Sequence, residues 1–227
     1  MSLFYDISTT SSVESLTSTI ESILCCPPSE DDSNAINSPV LGIPRTIYWL
    51  ILRISRQCRK QSRTKECWGK LRRLDSDLQM WEHALRPASD IIQADQTHFD
   101  GMARLYIYCA RLILTWLCDT EQKAFLSRSE PVWQCLQDVV TILRHADESL
   151  GIARRFLLRW PLLILGHAVT SEKEVNLLEG VLRTLWEVSK WGDVKMTWEK
   201  IKSMWQHQKN FNVSNRQRLH LLLKTSG

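Results

Sequence analysis

From Pro44 onward, apolar positions recur at helical steps almost without interruption. Ile47, Ile51, Ile54 and Cys58 follow one another at intervals of four, three and four, the repeat that lines one face of an α-helix. Cys67, Leu71, Leu74, Leu78, Trp81 and Leu85 continue the pattern up to Arg86-Pro87, where the residue before proline is pushed out of the α region. These two segments read as an antiparallel helical pair, with Pro44 at a first helical position. A third helix carries Phe99, Met102, Leu105, Tyr106, Cys109, Leu112, Ile113, Trp116 and Leu117. A fourth begins near Ser129-Glu130-Pro131 with Trp133, Leu136, Val140 and Leu143. Both stripes are wide, as in helices that pack on more than one neighbour.

The stretch Phe156 to Ala168 is apolar on nearly every side and belongs at the centre of the fold. Pro161 inside it cannot donate to the backbone ladder, which predicts a kink. Ser171 with Glu174 spells a capping box, and Val175, Leu178, Leu182, Leu185 and Trp186 follow as the next stripe. Gly192-Asp193 marks a stop and a new cap before Val194, Trp198, Ile201, Met204 and Trp205. No strand pattern is present. The expected class is all-α, a single domain of about seven helices over residues 39–207, followed by a polar tail over 208–227 with room for a short helix. Residues 1–38, rich in Ser and Thr, read as a disordered acidic arm.

Composition changes this picture little. Of 227 residues, 44% are hydrophobic and 24% charged, which is ordinary for a soluble globular protein. There is no signal-peptide pattern at Met1, and the longest apolar stretch, broken by Arg159, is shorter than the roughly 20 residues of a spanning helix. A soluble, non-secreted protein without membrane contact is expected. Seven scattered cysteines fit no disulfide framework and point to a reducing compartment. Cys58, Cys109 and Cys135 lie on apolar stripes and read as buried thiols.

Charge is distributed unevenly. Residues 1–44 hold six acids (Asp6, Glu14, Glu21, Glu30, Asp31, Asp32) and no Lys or Arg. Residues 45–73 hold ten bases and one acid, Glu66, and the whole chain sums to +4. Within the acidic head, Val13, Leu16, Ile20, Ile23 and Leu24 recur at helical spacing, suiting a short helix that docks on the body or on a partner; an acidic segment with interspersed apolar residues also resembles an activation peptide. Arg56, Arg59, Lys60 and Arg63 are candidates for phosphate contact or nuclear import. The competing expectation is a solvated face, or one paired with the acidic head.

Local catalytic signatures are missing. The eight glycines lie at least twelve positions apart, so neither the dinucleotide fingerprint nor the phosphate loop is present. The six histidines are scattered and form no zinc motif; a nucleophile–histidine couple assembled by the fold leaves no local trace. Neither catalytic residues, cofactor ligands nor metal ligands are assigned, and the protein is not expected to be an enzyme. Trp81, Trp116, Trp133, Trp160, Trp186, Trp198 and Trp205 fall in stripes, whereas Trp49, Trp68 and Trp191 lie off them and are expected at the surface.

The run Leu158 to Ala168, containing Trp160-Pro161-Leu162-Leu163-Ile164-Leu165-Gly166, resembles the helical regulatory domain of fungal-specific transcription factors of the zinc-binuclear-cluster class. Ser171 to Glu174 is similar to that family's acidic cap, Leu185-Trp186-Glu187 to the end of its next helix, and Gly192 and Trp205 to its closing turn and aromatic. Upstream, Pro39 to Pro44 and Tyr106 to Leu117 resemble its entry segment and long central helix, so the likeness spans residues 36–210.

The resemblance implies a nuclear transcription regulator acting through protein partners, either transcriptional machinery or a dimer partner, with a small-molecule effector also in scope. Trp160, Pro161, His167 and Trp186 are then candidates for an effector pocket or a core signature. The family's six-cysteine zinc cluster has no counterpart here, since Cys25-Cys26 are adjacent and Cys58 and Cys67 stand nine apart. DNA contact is expected only through an upstream zinc cluster or weakly through the basic helix at 45–73. Two other readings stay open: a non-specific DNA-binding protein using that helix, and a non-nuclear helical scaffold for protein–protein interaction.

Overall fold

A computed structural model describes residues 43–58, 65–85, 94–118, 132–145, 158–169, 171–189 and 192–207. Among these, seven α-helices and no strand are found: α1 Arg45–Cys58, α2 Lys65–Ala84, α3 Ala94–Leu117, α4 Val132–His145, α5 Arg159–Ala168, α6 Glu172–Ser189 and α7 Gly192–His207. The acidic head, the tail from residue 208, and Arg59, Lys60, Arg63 and Trp191 lie outside the described residues. The all-α expectation holds. No helix described is long and apolar enough to cross a membrane.

The helices form where the apolar repeat put them. Ile47, Ile51, Ile54 and Cys58 are all buried on α1, joined by Leu50. Pro44 stands just before the helix, and its carbonyl accepts from the Ile47 N–H at 3.0 Å. On α2, Cys67, Leu71, Leu74 and Leu78 are buried. The 24-residue α3, about 36 Å long at 1.5 Å per residue, is buried through every position from Leu105 to Leu114. That all-round burial follows from its neighbours, because α3 touches α1, α2, α4 and α5. The short α5 is similarly enclosed by α3, α4, α6 and α7. These two helices form the spine on which the rest is packed, and one continuous apolar core runs from Ile43 to Met204.

At the start of α6 the capping box closes reciprocally. The Ser171 N–H donates to Glu174 Oε2 at 3.1 Å, and the Glu174 N–H donates to Ser171 Oγ at 3.4 Å, satisfying donors that a helix N-terminus leaves open.

Several local expectations are corrected. Pro161 is the third residue of α5, with Leu158 at the N-cap, so it opens the helix instead of kinking it. A first-turn N–H has no intrahelical acceptor, and a residue that lacks one costs nothing there. Trp133 is 44% exposed; the inward face of α4 runs through Cys135, Leu136 and Val139, and Trp133 stands beside it. Trp49 and Trp68, expected at the surface, are half-buried against the core. Helix α7 starts at Gly192 itself.

Candidate functional site

The signature run makes up α5, Arg159–Ala168, and its residues contact four other helices at once. At its N-terminal end the Trp160 indole stacks on Tyr106 of α3, with ring centroids 5.2 Å apart and an interplanar angle of 26°. Tyr106 in turn meets Tyr48 of α1 edge-on at 5.5 Å and 61°. The three rings make a column through α1, α3 and α5, in the offset and T-shaped arrangements that aromatic quadrupoles favour. Burial drives the Tyr106 hydroxyl well above its ordinary value of 10.0, and the nearby Tyr48 adds to the rise. Tyr48 is raised chiefly by burial, against a smaller opposing effect of the hydrogen bond it shares with Tyr106. Both rings therefore stay neutral under ordinary conditions.

One turn along α3, the Cys109 thiol donates to the Pro161 carbonyl, S···O 3.8 Å. This thiol is fully enclosed, and burial pushes it well above its usual 9.0, so it is a structural donor and not a nucleophile. Cys58, Cys67, Cys118 and Cys135 are buried thiols as well.

The C-terminal end of α5 is built on Gly166. A Cβ placed there would lie 2.9 Å from Cγ1 and 3.1 Å from Cδ1 of Ile201 on α7. Only a hydrogen at this position lets α5 and α7 approach so closely. The Gly166 carbonyl, one of the last four that a helix leaves without an internal donor, accepts from the Trp205 indole N–H at 3.1 Å. His167, next along, is buried in the same C-terminal turn. Trp186 occupies the last turn of α6 and is half-buried. The structure thus brings Trp160 and Pro161 onto α3, and sets Gly166 against α7.

A second cluster escaped the sequence reading. Arg111, in the middle of α3 and only 6% exposed, holds Glu82 through Nη1 at 2.7 Å and faces Asp75 through Nε at 3.6 Å. Asp75 is also buried and accepts from Gln79 Nε2 at 3.2 Å. One guanidinium thus ties α3 to two carboxylates on α2. Beside it is a cavity of about 20 Å³ lined by Glu82, Arg104, Leu105, Ile107, Tyr108, Arg111 and Cys135. Its size suits one water molecule rather than an effector, which takes several hundred Å³. The signal was present in the sequence: a lone charge inside the apolar run Leu105 to Leu117 needs a buried partner. Local periodicity does not say that the partner lies 29 residues upstream.

Of the basic candidates, Arg56 lies half-buried in the last turn of α1. Among the described residues no His, Cys, Asp and Glu side chains gather as a metal-ion site.

No curated protein and no solved structure matches the chain. A family model does match, over residues 3–218, beginning inside the segment read from sequence as an arm and ending inside the tail. With nearly its whole length matched, including the α5 signature and the closing Trp205, the chain belongs to the family of the fungal specific transcription factor domain.

Proposed function

We propose that this chain is a regulatory and interaction domain of a fungal transcription factor. It works in the nucleus through protein partners, either the transcriptional machinery or a dimer partner. The observation that carries this reading is the family match over residues 3–218, which makes transcription regulation, rather than catalysis, the activity to expect. This sequence contains no cysteine pair with zinc-cluster spacing, so the domain makes protein contacts and leaves base-specific DNA contacts to another module. A small-molecule effector would act at Trp160, Pro161 and His167 of α5 and at Trp186 of α6. Phosphate or import contacts would fall to Arg56, Arg59, Lys60 and Arg63.

The test fuses the chain to a heterologous sequence-specific DNA-binding domain and measures a reporter in yeast, with the fusion's level and location followed by a fluorescent tag. Several-fold activation or repression is the expected outcome. A fusion that is present in the nucleus at normal levels yet leaves the reporter unchanged overturns the reading.

A further inference from the structure

Helix α1 has two unlike faces. Ile47, Leu50, Ile51, Ile54, Ser55 and Cys58 turn inward. The opposite face carries Arg45, Trp49, Arg53 and Arg56 at steps of four, four and three, so the four residues share one stripe. Arg45 is exposed, and Trp49, Arg53 and Arg56 are half-buried. The Arg53 guanidinium lies 4.3 Å from the Trp49 ring centroid, a cation–π arrangement that leaves both half-exposed. On the paired helix α2, Lys70, Arg72 and Arg73 are exposed as well. Two of the acids of α2, Asp75 and Glu82, are drawn inward onto Arg111, which leaves the outer side of the pair more basic than its sequence alone would make it.

Complementary chemistry sits immediately upstream on the same chain. Residues 1–44 hold six acids and no Lys or Arg, and Glu14 and Glu21 alternate with Val13, Leu16, Ile20, Ile23 and Leu24. In the helix that this spacing predicts, the two glutamates stand about 10 Å apart along the axis, and Arg45 and Arg53 about 12 Å apart along theirs. The 21 residues from Leu24 to Arg45 reach up to about 70 Å when extended, several times the roughly 21 Å length of α1. Tethering to α1 also raises the local concentration of this segment far above that of a free competitor.

We propose that the arginine–tryptophan face of α1 is the seat of the chain's own acidic head, residues 13–32, with Glu14 and Glu21 against Arg45 and Arg53 and the head's apolar residues over Trp49.

The experiment uses the full chain and a protease that cuts after glutamate. Cleavage at Glu14 and Glu21 is followed by mass spectrometry and compared with a synthetic peptide of residues 1–38 under the same conditions. At about 20 mM salt the head in the full chain is expected to be cut at least about five-fold more slowly than the peptide. At about 0.5 M, where screening shortens charge attraction to a few ångströms, the difference should disappear. Arg45→Glu/Arg53→Glu should lose the protection at low salt, while the equal-charge control Arg183→Glu/Lys195→Glu on α6 and α7 keeps it. Equal cutting of head and peptide at low salt overturns the proposal, as does protection that ignores both salt and the α1 arginines, or that falls equally in both variants.

Discussion

The indole N–H of Trp205 donates to the carbonyl oxygen of Gly166 at 3.1 Å, across 39 residues of sequence. The contact caps the C-terminus of α5 from a different helix, in place of the local glycine cap that many helices use. Trp205→Phe keeps most of the ring but withdraws the donor, and should cost about 1 kcal/mol. For a chain of this size that corresponds to a fall in Tm of about 2 to 4 °C, readable by circular dichroism in the presence of a reductant.

Gly166 and Gly180 should respond to alanine with opposite signs. At Gly180, on the exposed side of α6, a new Cβ meets nothing within 4 Å, so Gly180→Ala gains helix propensity of about 0.5 to 1 kcal/mol. At Gly166 the same gain is outweighed by overpacking against the fully buried Ile201, which costs about 1 to 3 kcal/mol. Urea denaturation of both variants checks the sign. A Gly166→Ala/Ile201→Ala double variant should lose less than the sum of its single changes, because the methyl then occupies space that the isoleucine left.

Arg111→Met is expected to be among the most damaging single changes. It leaves the buried Asp75 and the partly buried Glu82 without their shared cation, a loss of about 3 to 5 kcal/mol. Adding Asp75→Asn and Glu82→Gln should recover a substantial part of that, since no carboxylate then stays buried and uncompensated. Thermal melts of the single and triple variants decide the point; an Arg111→Met protein as stable as its parent would show that the network contributes nothing.

Alkaline pH should unfold the protein through the α3–α5 contact. Tyr106 and Cys109 are raised by burial in the fold, so the native state keeps protons that the unfolded chain releases near its ordinary values of 9.0 and 10.0. Stability from these groups is complete below pH 9 and falls as pH climbs through each group's window, by about 1.4 kcal/mol per pH unit for each group inside it. Cys109→Ala is expected to remove one group's share of the slope between pH 9 and 10, measured by denaturant titration at successive pH values.

Much of this architecture was legible in the chain because buried faces repeat at the helical period. Leu71, Leu74 and Leu78 on α2 and Leu178, Leu182 and Leu185 on α6 are buried as their spacing requires, and the Ser171–Glu174 cap formed as written. The contacts that join helices were less legible. Periodicity shows that Tyr106 and Trp160 point inward, but not that they stack on each other. Nor does it show that Gly166 is glycine because Ile201 leaves no room for a methyl. Pro161 misled because the apolar run extends upstream of the helix start, and a proline signals a bend or a beginning according to which residue is first.

The five described cysteines are all buried, which ties the redox chemistry of these five sulfurs to folding. In the native state these five sulfurs are shielded, and they form sulfenic acids or stray disulfides only when the helices open. Each opening in air therefore risks a covalent mark that the core cannot accommodate on return, because a close-packed interior has no room for added oxygen. Oxidation at these five positions on heating thus reports how often the molecule opens rather than how stable it is.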